Sequence, residues 1–347
     1  MNKVNLRKKG LIGISLALAL CVMGVGAHTL RAAGRVDTNK SVKITAVVSE
    51  DENSIFTEEY AGKVTINLYK IATLDETGKA TLTDKFNGAD IDLSILDKSP
   101  SVDDVKTEIV DKAITVAENL RADATISLNR GAGKTSESTE IAAGAGIYLY
   151  LPQDAQDESY IYKFTPYIVY APTSDYILFG EGSDEWEYES KFILKSSEER
   201  KSGDLNITKT LTGYNPGLGE VAVVYKVKAV VIADDEEKVV LDKVVPFTFK
   251  DATSQTISIK DIPATAVVTV TEEYSGASYS PVGGEANKVK TTEIVAGKTA
   301  SVEFINEYDG RLITGGISAE NNFIEKDGVI YWIDEEGREI PQTEIAR

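Results

Sequence analysis

The chain has 347 residues, with 55 Asp and Glu against 37 Lys and Arg and a net charge of -18 at pH 7. That length suffices for two domains of ordinary size plus tails. So large an acidic surplus excludes nucleic acid and acidic lipid as expected partners.

The N-terminus carries Lys3, Arg7, Lys8 and Lys9, an apolar run from Leu11 to Val25, and then small residues. This basic, apolar, small-residue order predicts a secretory signal over residues 1–33. Cleavage after Ala27 and cleavage after Ala33 both fit. The run is shorter than the roughly 20 residues a bilayer-spanning helix needs. The only Cys, Cys21, falls inside the segment to be removed, and the only His, His28, at its boundary. Disulfides, His-dependent catalytic triads and zinc sites of the usual kind are therefore excluded, and neither a cofactor nor a metal is expected. Carboxylates are spread along polar faces without the spacing of a calcium loop.

Residues 41–197 are expected to form one domain. Runs rich in Val, Ile, Tyr and Phe predict strands over 42–48, 63–71, 147–151, 160–170 and 186–194. Between them lies one helix, opened by a Ser101/Asp104 capping box. Val102, Val105, Ile109, Ala113, Val116, Ala117 and Leu120 then recur at three- and four-residue spacing, a stripe that packs on the sheet. The segment from Asn129 to Thr135 ends like a phosphate-binding loop, but Leu128 stands where that motif needs its first Gly, so it reads as a polar loop.

Residues 203–309 are expected to form a second β-domain. Three short strands there each end an inward apolar row on a polar residue. With period-two alternation, Leu205 and Ile207 share a face with Lys209, Val268 and Val270 with Glu272, and Val302 and Phe304 with Asn306. Glu273 has the opposite parity and points outward. Burying a lone ammonium, carboxylate or amide costs several kcal/mol, so the three groups are expected to meet. A dry core disfavours the charged amine. A neutral Lys209 can then attack the carboxamide carbon of Asn306, with a protonated Glu272 polarising the carbonyl and moving protons as ammonia leaves.

The openings, middles and ends of these strands, Leu-Asn-Ile-Thr-Lys-Thr-Leu, Val-Thr-Val-Thr-Glu-Glu-Tyr and Val-Glu-Phe-Ile-Asn-Glu-Tyr, carry a resemblance. The stretch from Gly203 to Asp309 resembles an isopeptide-linkage domain of Gram-positive sortase-assembled pilins, an immunoglobulin-like sandwich related to the B-type repeats of collagen adhesins. The runs 62–72 and 164–169 are similar to parts of pilin N-terminal domains. The resemblance implies Lys209 as nucleophile, Asn306 as electrophile and Glu272 as catalytic acid of a self-formed cross-link. It further implies tandem immunoglobulin-like β-sandwiches, mostly β, with the one short helix inserted in the first.

Major pilins polymerised by a class C sortase carry the motif Trp-x-x-x-Val-x-Val-Tyr-Pro-Lys, whose Lys receives the next subunit's C-terminal threonine. The segment from Trp186 to Lys195 keeps that Trp-to-Lys spacing, with Phe192 apolar. It departs at Ser190, at Ile193 and Leu194, and at Ser196 where Asn often follows. The resemblance thus points to Lys195 as the linkage amine, with Lys191 and Lys201 as alternatives. Lys43 matches a first-strand amine of relatives that bond internally in this domain, but Ser196 has no carboxamide for it, so one internal bond is expected.

Residues 310–347 are expected to be a tail. It holds a short apolar patch from Gly328 to Ile333, then Ile340-Pro341-Gln342-Thr343, which resembles a degenerate sortase sorting signal with Thr343 as the linkage threonine. No apolar span of about 20 residues follows it. The expected function is a pilus subunit at the cell surface, covalently joined to other pilin subunits by a class C sortase, with host surface ligands as further partners and single-turnover amide formation as its only chemistry. A secreted or wall-associated adhesin that never polymerises is the alternative.

Overall fold

A computed structural model describes residues 34–48, 54–98, 100–174, 185–233, 236–310, 322–326, 329–333 and 339–341. The signal segment and Thr343 lie outside the described residues. The chain is mostly β and divides into two compact units, Met1–Ala155 with Tyr162–Glu198, and Gln156–Ile161 with Glu199–Arg347.

The strands of the first part of the chain are β1 (Val42–Val48), β2 (Lys63–Leu74), β3 (Ala80–Leu82), β4 (Ala124–Asn129), β5 (Ser136–Ile141), β6 (Gly146–Pro152), β7 (Ala155–Gln156), β8 (Tyr160–Phe164), β9 (Tyr167–Ala171), β10 (Glu189–Leu194) and β11 (Ser196–Arg200). In the first unit, β1 pairs with β10 in parallel and with β5 antiparallel. A second sheet runs β3-β2-β6-β9, with β4 also on β2. β1 alternates as expected, with Val42, Ile44, Ala46 and Val48 buried. β9 is buried throughout and β6 nearly so, because the helical segment lies against them as well.

That helical segment keeps its capping box: the Ser101 hydroxyl accepts from the Asp104 amide and the Asp104 carboxylate accepts from the Ser101 amide. The expected stripe needs a correction. Val102 is exposed, and Val110 is buried beside Ile109. A π-turn over Lys106–Val110, between the α-helical turns Val102–Val105 and Asp111–Ala117, adds the residue that brings Val110 onto the buried face, while Val102 stands at the first helical position before it.

Other expectations are also revised. The single strand over 160–170 is two, β8 and β9, parted at Thr165-Pro166, where Pro has no amide to continue a ladder. The strand expected from Trp186 begins at Glu189; before it, Glu187 makes only an isolated bridge to Thr173. β4 and β5 were not expected. β5, Ser-Glu-Ser-Thr-Glu-Ile, has almost no apolar signal and is a strand because it pairs with β1.

The second unit contains β12 (Ser202–Leu211), β13 (Val221–Ala233), β14 (Glu236–Phe249), β15 (Ser254–Pro263), β16 (Val267–Tyr274), β17 (Tyr279–Pro281), β18 (Val289–Glu293) and β19 (Thr299–Tyr308). They form two four-stranded sheets, β15-β12-β19-β17 and β14-β13-β16-β18. One core draws on both sheets, including Leu205, Ile207, Val302 and Phe304 from the first and Val223, Tyr225, Phe247, Val268 and Val270 from the second. This is a β-sandwich. Its first and last strands, β12 and β19, are parallel neighbours, whereas every other pairing in the two sheets is antiparallel.

The expected tail contains structure of its own. β20 (Asn322–Lys326), β21 (Val329–Ile333) and β22 (Glu339–Pro341) form an antiparallel three-stranded sheet in which the apolar patch is the central strand.

Candidate functional site

Alternation along β12 turns Gly203, Leu205, Ile207, Lys209 and Leu211 inward. On β19 the inward row is Val302, Phe304 and Asn306. The parallel register sets Lys209 opposite Phe304 and Leu211 opposite Asn306, so the two polar residues are diagonal neighbours on one face. Glu272 comes from β16 in the other sheet, at the end of the row Val268, Val270. Lys209 and Asn306 are 0% exposed and Glu272 2%. Glu273 is exposed, as its parity requires.

The side chains meet. Lys209 Nζ donates to Glu272 Oε2 at 3.1 Å, and Asn306 Nδ2 donates to Glu272 Oε1 at 2.5 Å and to the Ser275 carbonyl at 3.0 Å. One carboxyl group thus bridges the amine and the carboxamide, one oxygen to each. Glu272 therefore meets the carboxamide at its nitrogen and not, as expected, at its carbonyl: Asn306 Oδ1 is buried without a hydrogen-bond partner among the described residues. Burial pulls the Lys209 pKa down to about 8, against the opposing pull of the Glu272 carboxylate. Around the triad stand aromatic rings. The Lys209 Nζ lies 5.9 Å from the Tyr225 ring centroid, and that ring is 4.7 Å from Phe304 and 5.5 Å from Phe247.

Two contributors were missed by sequence reasoning. Tyr225 is 0% exposed and its hydroxyl donates to Glu272 Oε2 at 3.0 Å. Its signal was present, because Val221, Val223, Tyr225, Val227, Ala229 and Val231 form one inward row on β13, and Tyr225 is its one member with a polar atom. Ser275 had no such signal. Between β13 and β16 the register runs Tyr225 to Glu272 and then Val224 to Tyr274, leaving Glu273 as the extra residue of a bulge. The bulge reverses the parity, so Tyr274 is 47% exposed and Ser275 is buried beside Asn306. Gly276, at a φ of 90° that favours glycine, turns the chain directly afterwards.

The residues singled out in the first unit stand apart from one another in role. Lys195 is exposed, just after β10, and its amine has no hydrogen-bond or ion-pair partner among the described residues; its backbone carbonyl accepts from the Thr165 amide at 3.0 Å. Lys191 is exposed on β10. Lys201, in the second unit, has its amine held by the Asp157 carbonyl at 2.5 Å. Trp186 is partly buried and its indole N–H donates to the Gly34 carbonyl at 3.0 Å. Lys43 faces outward on β1 and pairs with Glu189 at 3.5 Å, far from the geometry of a core nucleophile. The segment from Asn129 to Thr135 is a strand end followed by a 3-10 turn over Arg130–Ala132, with Lys134 paired to Glu137.

A sequence family described as a domain of unknown function (DUF5979) matches residues 205–309, the span that holds the triad. No curated protein is similar enough to count as a match. Among solved structures, the chain is similar to GBS52, the minor pilin of Streptococcus agalactiae, at 13% identity over 79% of this chain and 99% of that one, with a TM-score of 0.23. It is similar to the full-length major pilin SpaD of Corynebacterium diphtheriae at 14% identity, 87% and 81% coverage and a TM-score of 0.28. The T-13 major pilin of Streptococcus pyogenes gives 15%, 80% and 100%, with a TM-score of 0.22.

Proposed function

We propose that the chain is a subunit of a Gram-positive pilus whose second unit closes its own Lys209–Asn306 amide, with Glu272 as the acid and base of the reaction. The observation that carries this reading is the bridging carboxyl: Glu272 touches the Lys209 amine through one oxygen and the Asn306 amide nitrogen through the other. A buried ion pair is at best weakly stabilising compared with apolar packing, so chemistry is a better reason for this arrangement than stability.

The reaction balances without a co-reactant. The pair reacts in its neutral form, with Lys209 as the amine and Glu272 as the carboxylic acid. The amine nitrogen bonds to the Asn306 side-chain carbon, the carbon to Nδ2 bond breaks, and Glu272 takes a proton from the attacking nitrogen and gives one to the departing nitrogen. The products are a secondary amide, ammonia and an unchanged Glu272. Because β12 and β19 are the first and last strands of the sandwich, force entering along one would leave along the other through this bond, bypassing the intervening strands. That suits a fibre under shear.

On the same reading a class C sortase breaks the bond after Thr343 and joins that carbonyl to Lys195 of the next subunit, and host surface ligands bind the assembled fibre. The exposed amine of Lys195, without a hydrogen-bond or ion-pair partner among the described residues, supports this, since a nucleophile at a subunit junction must be reachable.

Intact mass of the mature chain beside the Glu272→Ala variant is the test. A deficit of one ammonia in the parent, absent in the variant and mapped to joined peptides holding Lys209 and Asn306, is expected. A full mass in both overturns the cross-link, and the non-polymerising adhesin then becomes the reading to pursue.

A further inference from the structure

Tyr225 sits directly opposite Glu272 in the β13/β16 ladder, so both side chains rise from the same face into the core. Its hydroxyl donates to Oε2, the oxygen that also faces Lys209, whereas Oε1 faces only the Asn306 nitrogen. The two oxygens of Glu272 are therefore unlike. Oε2 accepts from two donors and Oε1 from one; in a carboxylic acid, the oxygen that accepts more donors is favoured as the carbonyl oxygen, and the proton resides on the other.

We infer that Tyr225 is a positioning residue for the amide-forming reaction: by donating to Oε2 it keeps that oxygen as the acceptor for the Lys209 proton and sets the acid's own proton on Oε1, against the Asn306 leaving nitrogen. This rests on the cross-linking reading above. The steps balance: the Nζ to carbon bond forms, Oε2 takes one proton from Nζ, Oε1 gives one to Nδ2, the carbon to Nδ2 bond breaks, and ammonia departs from between Oε1 and the Ser275 carbonyl. Glu272 ends as a carboxylic acid with its proton exchanged from one oxygen to the other.

Tyr225 is suited to a fixed donor role. Burial foremost, with the adjoining Glu272 carboxyl, holds its phenol well above the usual range, so it stays protonated wherever the domain is folded. The ring is wedged against Phe247 and Phe304. The titratable groups touching Glu272 are Lys209 on β12 and Tyr225 on β13. On β18, beside β16, the charge turned toward the core is Lys290, whose Nζ is 5.8 Å from the Phe304 ring centroid.

The test follows condensation of freshly synthesised parent, Tyr225→Phe and Phe247→Leu chains by intact mass across a range of pH, with circular dichroism to check folding. Tyr225→Phe is expected to lose ammonia about tenfold more slowly or worse, the size of effect of one hydrogen bond to a charged group. Its pH–rate profile should also differ from the parent's, because the hydrogen bond at Oε2 is gone. Phe247→Leu disturbs the same packing without touching Glu272 and should keep the parent's profile. A Tyr225→Phe chain with the parent's rate and profile overturns the role of Tyr225 while leaving the cross-link standing. A parent that never loses ammonia overturns the underlying reading and Tyr225 with it. If Tyr225→Phe does not fold, a ring-fluorinated tyrosine placed at position 225 keeps the volume and strengthens the donor; its pH–rate profile should differ from the parent's, and an unchanged profile overturns the proposal.

Discussion

Lys209 and Asn306 stand on neighbouring parallel strands two residues out of register, Lys209 opposite Phe304 and Asn306 opposite Leu211, and both are tied to Glu272. The diagonal lets a long amine reach along the strand to a short carboxamide, while the facing sheet supplies the carboxyl. If the amide forms, removing it should weaken the domain through chain entropy. An Asn306→Ala chain is expected to be less stable than the condensed parent by about 4.7 kcal/mol, the model value for closing a loop of about a hundred residues. Denaturant melts of the two proteins check this; equal midpoints would argue that the parent is not cross-linked.

The same uncondensed chain should show a pH signature. The folded-state pKa of Lys209 lies near 8, below its ordinary 10.5. Between those values the unfolded chain binds more protons than the folded one, so stability rises with pH there. The benefit is complete above about 10.5 and is lost as pH falls through about 8. In the condensed parent Nζ is an amide and cannot titrate, so its stability should lack this slope. Melts of both proteins at several pH values between those limits separate the cases.

Glu273 offers an internal control for Glu272. It is exposed and is the extra residue of the bulge. Glu273→Ala is expected to condense as the parent does, whereas Glu272→Ala should not condense at all. Intact masses of the two variants check the parity argument directly, and loss of condensation in Glu273→Ala would contradict it.

For the first unit, incubation with a class C sortase and a sorting peptide should label Lys195. Lys195→Arg is expected to abolish the label, whereas Lys191→Arg and Lys201→Arg retain it. The Lys201 amine is already engaged by the Asp157 carbonyl. Peptide mapping that finds the label elsewhere would move the linkage site.

The capping box gives a stability prediction independent of any function. Ser101→Ala removes the acceptor for the Asp104 amide. It should lower stability by about 1 kcal/mol, read from thermal or denaturant melts.

The alternating rows ending in Lys209, Glu272 and Asn306 were legible in the sequence because a strand's period of two depends only on local backbone geometry, and a polar residue closing an apolar row is conspicuous. The capping box was legible for the same local reason. Tyr225 could have been found by that rule but hid among aromatic core residues, since a phenol does not announce whether its hydroxyl is used. What only the tertiary structure decided was phase and partnership. The bulge at Glu273 turns Ser275 inward, and the π-turn brings Val110 onto the buried face. Likewise β5, polar along its length, is a strand only because β1 lies beside it. Each of these depends on which strand or helix packs alongside, and no local periodicity carries that information.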